Sequence, residues 1–137
     1  MVCIYCQSKT SVTNSRPQKR LGTTWRRREC TRCHAVFSTI EVPDLSVSVR
    51  LRQKNGELAP FERDVLFSSI VQALGHRSDA VSAATALTAT IIAKVLKTAP
   101  GALLERQTLV SATYTTLGAF DATAATLYAA YHPSNKN

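Results

Sequence analysis

All four cysteines of this 137-residue chain lie in its first quarter, as two Cys-x-x-Cys pairs: Cys3 with Cys6 and Cys30 with Cys33. A tetrahedral zinc ion takes four soft ligands, and two tight thiolate turns supply them with little strain. The interval between the pairs suits a short β-structured excursion between two knuckles, as in a zinc ribbon. Two disulfides would need an oxidising compartment. The start, Met-Val-Cys, has no basic segment followed by an apolar stretch, and no apolar run is long enough to span a membrane. A reducing, cytoplasmic setting is the expectation. Four thiolates leave zinc no open position, so the site is expected to be structural rather than catalytic.

A segment of about 40 residues cannot hold itself with an apolar core, and metal binding is expected to supply its folding energy. The remainder is long enough to bury a core, and 45% of the chain is apolar. The net charge of +8 is unevenly spread. Residues 1–41 carry eight Lys or Arg against Glu29 and Glu41, whereas residues 42–137 carry nine against seven acids. Concentrated positive charge on a small rigid module favours a polyanion, nucleic acid first.

Within the metal segment, Thr10 to Arg16, Thr23 to Glu29 and Val36 to Glu41 read as strands, with Pro17 to Gly22 as a loop. Val36 or Phe37 is expected to cover the metal. Pro43-Asp44 reads as the boundary, which divides the chain into a ribbon at 1–43, a second domain at 46–132 and a frayed tail at 133–137. Ser46 to Gln53 alternates as a half-buried strand, and Asn55-Gly56 suits a type I′ hairpin turn. Helices are expected over Glu62 to Leu74 with Gly75 as C-terminal cap, Asp79 to Lys97, Gln107 to Leu117 and Asp121 to Tyr131. The predicted class is α+β: a small β ribbon, then a mostly helical domain opened by a β-hairpin.

Arginine forks suit phosphate oxygens and the O6/N7 edge of guanine. Arg16, Lys19, Arg20, Arg26, Arg27 and Arg28 are therefore the candidate DNA contacts. Strand alternation puts Arg26 and Arg28 on one face and Arg27 on the other. Trp25 is placed either to stack on a base or to cover the small core. His34, beside a complete ligand set, reads as a knuckle residue, and His76 and His132 as isolated residues near helix ends. Arg50, Arg52 and Lys54, followed at once by a helix N-terminus, offer an anion site, although a basic strand face is more often merely solvated. No catalytic triad, carboxylate pair or glycine-rich phosphate loop is present, and the chain is expected not to be an enzyme.

The order Cys-x-x-Cys, Asn14-Ser15-Arg16-Pro17, Arg26-Arg27-Arg28-Glu29-Cys30-x-x-Cys33 and Phe37-Ser38-Thr39-Ile40-Glu41 resembles the bacterial NrdR repressors. The likeness continues through Gln53-Lys54-Asn55-Gly56 and Pro60-Phe61-Glu62-Arg63-Asp64-Val65-Leu66, similar to the opening of an ATP-cone. The resemblance implies one structural zinc per chain, a ribbon on paired operator boxes upstream of ribonucleotide reductase genes, and a nucleoid-associated homo-oligomer. ATP or dATP would modulate assembly and DNA affinity. With the basic strand added to the cone-like stretch, the expected nucleotide contacts are Arg50, Arg52, Lys54, Asn55, Phe61 and Leu66. The chain departs from the family pattern at Asn14 (aspartate there), Gln7 (glycine), Gln53 and Val65 (lysines), Ala125 (tyrosine) and Leu127 (arginine). Those losses suit a second function, a ribbon module whose helical domain only self-associates; a third, a regulatory subunit of the reductase, is suggested because ATP-cones also occur in reductase large subunits, and the basic ribbon stands against it.

Overall fold

A computed structural model describes residues 1–133 and divides the chain into two compact units, Met1–Pro43 and Asp44–Asn137. The class is mixed α+β, a β-rich cysteine-bearing unit followed by a mostly helical one. No helix among the described residues is long and apolar enough to cross a membrane.

The first unit is an antiparallel sheet of β1 (Thr10–Gln18), β2 (Thr23–Cys30) and β3 (Val36–Glu41), in that order. Thr, Val and Trp at these positions favour the pleated surface. Pro17 and Gln18 belong to β1 rather than to the expected loop. Pro17 has no N–H to give, but β1 is an edge strand, where that loss is tolerated. The reversal is left to the following residues, with Leu21 N–H bonded to Gln18 O at 3.0 Å and Gly22 at φ 65°. The buried apolar set is only Cys3, Cys30 and Phe37, with Cys6 packed against it.

In the second unit the expected strand from Ser46 is instead a helical turn, α1 (Leu45–Ser48), followed by β4 (Arg50–Arg52). Asp44 causes the difference. Its carboxylate accepts from the Ser46 amide at 3.1 Å and the Ser46 hydroxyl at 2.6 Å, an N-cap that winds the chain before the strand begins. Val47 is left outside while Val49 is buried. The hairpin to β5 (Leu58–Pro60) forms, but its turn is not type I′. Only Gly56 has positive φ, at 85°, and its N–H bonds Gln53 O at 2.9 Å. That is a type I turn with a bulged glycine. The Asn55 side chain accepts from the Glu57 amide at 3.1 Å.

Four helices follow: α2 (Arg63–Ala73), α3 (Ala80–Leu96), α4 (Arg106–Phe120) and α5 (Ala122–Tyr131). Gly75 follows α2 without a left-handed conformation, so it is not the expected cap. A 3₁₀ turn at Pro100–Ala102 leads into a strand that the sequence did not signal, β6 (Leu103–Glu105), which pairs parallel to β4. The sheet order is β5-β4-β6. Ile70, Leu74, Ile91, Leu104 and Leu117 are fully buried where helices and sheet meet. Of the expected tail, Pro133 is irregular and residues 134–137 lie outside the described residues.

The α2–α3 loop is tied to the α4–α5 junction through Asp121, whose side chain is only 13% exposed. Asp121 caps α5 by accepting from the Ala124 amide at 3.0 Å, and it also accepts from His76 Nε2 at 3.0 Å and Arg77 Nη1 at 3.1 Å. Arg77 in turn grips Asp79 with two hydrogen bonds of 2.8 and 3.0 Å. The Ala124 amide first, then His76 and Arg77, hold the Asp121 carboxyl at about 2, below its ordinary 3.8. A depressed folded-state pKa gives stabilisation that is complete above the ordinary value and lost as pH falls through the folded one. The helical unit should therefore lose stability between about pH 4 and pH 2. Asp121→Asn should be less stable at neutral pH and show a shallower decline over that window, measured by thermal melts at stepped pH.

Candidate functional site

The four cysteines form one cage. Their Sγ atoms all lie within 4.8 Å of one another, with Cys3–Cys33 at 3.7 Å and Cys6–Cys30 at 3.5 Å. Ligands 2.3 Å from a tetrahedral zinc stand about 3.8 Å apart, so the cage has the right size for that ion. Each knuckle folds its backbone toward sulfur. The Tyr5 amide donates to Cys3 Sγ at 3.4 Å, and the Arg32 and Cys33 amides to Cys30 Sγ at 3.3 and 3.4 Å.

The residue after each knuckle turns left-handed, Gln7 at φ 60° and His34 at φ 57°. That backbone suits glycine, which explains the glycine of the resembling pattern where Gln7 stands. His34 is exposed and lies 3.7 Å from Glu29; it contributes no ligand to the cage. Phe37, not Val36, covers the cage, with Tyr5 edge-on to it at 6.4 Å.

Four sulfurs this close cannot all carry charge unaided. The Ser8 hydroxyl and amide bring the Cys6 thiol down to about 6. At Cys33 the Ala35 amide pulls the thiol down, but Cys30 and the other sulfurs outweigh it and push the thiol up to about 12. A dication relieves this repulsion, since metal ligation requires thiolates. The donor set fits zinc: four sulfurs and no open position, a site that holds structure.

The cage anchors a basic sheet. Arg26 lies 3.4 Å from Glu41 and Arg28 donates to Thr39 and Thr10, both at 3.4 Å. Arg27 is exposed. Arg16 lies over the half-buried Trp25 ring at 5.8 Å. Trp25 is opposite Ile40 and Arg16, on the face away from Phe37, so it does not cover the cage. Lys19 and Arg20 are exposed in the β1–β2 turn.

The second unit holds an apolar cavity of about 320 Å³ whose walls include Leu51, Phe61, Leu66 and Tyr128, with Gln53, Arg106 and His132 also lining it. A cleft of about 530 Å³ shares Gln53, Arg106 and His132 with it and adds Arg52 and Lys54. Of the expected nucleotide residues, Phe61 and Leu66 line the cavity and Arg52 and Lys54 the cleft. Arg50 and Asn55 line neither; Arg50 alternates away from Leu51 along β4, and Arg52 is 3.4 Å from Glu105.

Two cavity residues, Arg106 and Tyr128, escaped the sequence reading, and His132, expected to be isolated near a helix end, lines the cavity with them. Tyr128 and His132, four apart at the end of α5, stack at 4.4 Å. Burial raises the Tyr128 hydroxyl and lowers the His132 imidazole, and the Arg106 charge lowers both. His132 therefore stays neutral at pH 7, and Arg106 is the cation on hand in the cavity. An aromatic and a histidine four apart were legible as a helix-face pair; Arg106 was not, because β6, which aims it, gave no signal.

Residues 1–41 match the family described as "Transcriptional repressor NrdR-like, N-terminal domain". The chain is 38% identical over 78 residues to the transcriptional repressor NrdR of Anaplasma marginale (strain Florida), covering 56% of this chain and 51% of that one. It is 41% identical over 78 residues to that of Brucella ovis, covering 56% and 49%. With NrdR of Bartonella tribocorum it shares 38% over 79 residues, covering 57% and 49%. These stretches exceed the ribbon in length, so the likeness runs into the second unit. The chain spans about half the length of the curated relatives it matches. The four-sulfur cage and the family match fall on the same residues, and residues 1–41 of this chain are similar to the NrdR-type zinc ribbons.

Proposed function

We propose that this chain is a zinc-dependent, DNA-binding transcriptional repressor of ribonucleotide reductase genes, working in the cytoplasm at the nucleoid as a homo-oligomer. The observation that carries the proposal is the four-sulfur cage beneath an arginine-bearing sheet. Zinc, once bound by Cys3, Cys6, Cys30 and Cys33, would fix the strands so that their cations meet a duplex in one pose. Cationic contacts to phosphate give affinity without sequence preference, whereas arginine donors at base edges supply specificity. The chain is a binding protein in this account, not an enzyme.

Fluorescence anisotropy with duplexes carrying paired boxes from reductase promoters tests it. The expected result is binding well above that of scrambled duplexes at moderate salt. Equal affinity for both would contradict the proposal.

ATP or dATP is the proposed effector, with the base in the apolar cavity and the phosphates toward Arg106, Lys54 and Arg52. A nucleotide shifts assembly only by binding one state better than another. Charge-assisted phosphate contacts are worth about 1.5–3 kcal/mol, so Arg106→Ala should weaken nucleotide binding by roughly tenfold to a hundredfold, read by calorimetry. One observation favours a second reading. Gln53 lines the cavity where the resembling pattern has lysine, and Val65 is 68% exposed where it has another. The helical unit would then only self-associate, and calorimetry with both nucleotides would show no binding.

A further inference from the structure

The ribbon's arginines divide between the two faces of one sheet. Residues directly opposite in neighbouring strands share a face, and successive residues alternate. Arg26 and Arg28 therefore share a face with Cys30, Phe37, Thr39 and Ser15. Both guanidinium groups there are already engaged. Arg26 is 3.4 Å from the Glu41 carboxylate and donates to Ser15 Oγ at 3.4 Å. Arg28 spans the sheet, donating from Nε to Thr39 on β3 and from Nη1 to Thr10 on β1. A phosphate approaching Arg26 would also meet the Glu41 carboxylate.

The opposite face carries Arg16, Trp25, Arg27, Asn14 and Ile40. Arg27 is exposed, and its guanidinium has no hydrogen-bond or ion-pair partner among the described residues. The residue directly across from it on β1 is the neutral Asn14. The acid on its own strand face, Glu29, stands two residues along, about 7 Å by strand rise, and lies 3.7 Å from His34. Arg16 lies over the indole of Trp25, 5.8 Å from the ring centroid, which orients its charge without neutralising it.

We infer that the Arg16–Trp25–Arg27 face is the surface that meets duplex DNA, and that Arg26 and Arg28 brace the sheet from behind. This rests on the DNA-binding reading above and goes beyond it by choosing one face. Arg27 has its whole donor fork free for guanine O6 and N7, and the Asn14 amide beside it can pair with adenine N6 and N7. Trp25 offers an apolar surface between the two arginines. Lys19 and Arg20, in the turn at the sheet's end, are placed for phosphates.

The test uses the full chain, zinc-loaded, and a duplex that the wild-type protein enriches from a random-sequence pool. Binding to that duplex and to a scrambled one is measured by anisotropy, with zinc content and circular dichroism as checks of folding. Arg27→Ala is expected to weaken binding to the enriched duplex by roughly tenfold to a hundredfold, and binding to the scrambled duplex by less. Arg26→Gln, which keeps a donor for Ser15, should stay within about threefold of wild type. A larger loss from Arg26→Gln than from Arg27→Ala, equal losses, or no loss from Arg27→Ala would overturn the inference. Failure of the wild-type protein to enrich any sequence would instead remove the DNA-binding reading itself, and the two failures are told apart at the selection step.

Discussion

Replacing Cys30 by serine is expected to unfold the ribbon and abolish specific DNA binding. Cys30 is fully buried at the end of β2, and its sulfur is 3.5 Å from that of Cys6. The apolar core of the unit consists of Phe37 and the cysteines themselves, too little to offset the chain entropy of 43 residues. Structural zinc in comparable peptides contributes an apparent binding free energy of about 10–16 kcal/mol, and that energy is folding energy. Three thiolates and a hydroxyl hold the ion far less well. The variant should lose stoichiometric zinc and the β signal of the ribbon, while the helical unit keeps its far-ultraviolet spectrum. Metal analysis and circular dichroism together check this.

The converse result is expected from Ile91→Ala. Ile91 is fully buried in α3, packed with Ile70, Leu74, Leu104 and Leu117 in the core of the second unit. Truncating such a side chain removes its transfer free energy and leaves a cavity, together about 2–5 kcal/mol. Domains are stable by only about 5–15 kcal/mol, so that is a large fraction of the total. Local propensity adds little reserve: α3, α4 and α5 mix helix-favouring alanine with threonine, which weakens it, and their stability comes mainly from packing. The expected outcome is a lowered denaturation midpoint for the helical unit with the zinc content unchanged. A single transition that carried the zinc away with the helices would argue against two separately stable units.

The legible parts of this protein were the local ones. Two Cys-x-x-Cys turns announce a metal cage because spacing along the chain sets the geometry of each knuckle. The ribbon strands announced themselves through threonine, valine and tryptophan. Pairing between distant segments was not legible. β6 is three residues long, and its reason for being a strand is the distant β4 beside it, Leu51 opposite Leu104. With β6 unseen, Arg106 had no element to place it, and the cavity could not be assembled around Arg106, Tyr128 and His132. The helical turn α1 was hidden for another reason. Val47, Val49 and Leu51 alternate as a strand would, and only the Asp44 cap shows that the chain winds first. The same limit applied to the arginines: alternation separates Arg27 from Arg26 and Arg28, but only the register shows that Glu41, Thr10 and Thr39 engage the latter pair while Asn14 leaves the former free.

The most direct measurement is the zinc content of the purified, reduced protein, paired with its affinity for the enriched duplex before and after chelation. One zinc per chain, and specific binding that disappears with the chelator and returns with added zinc, is the predicted result. A protein that carries no zinc, or that holds the duplex equally well once chelated, would contradict the account.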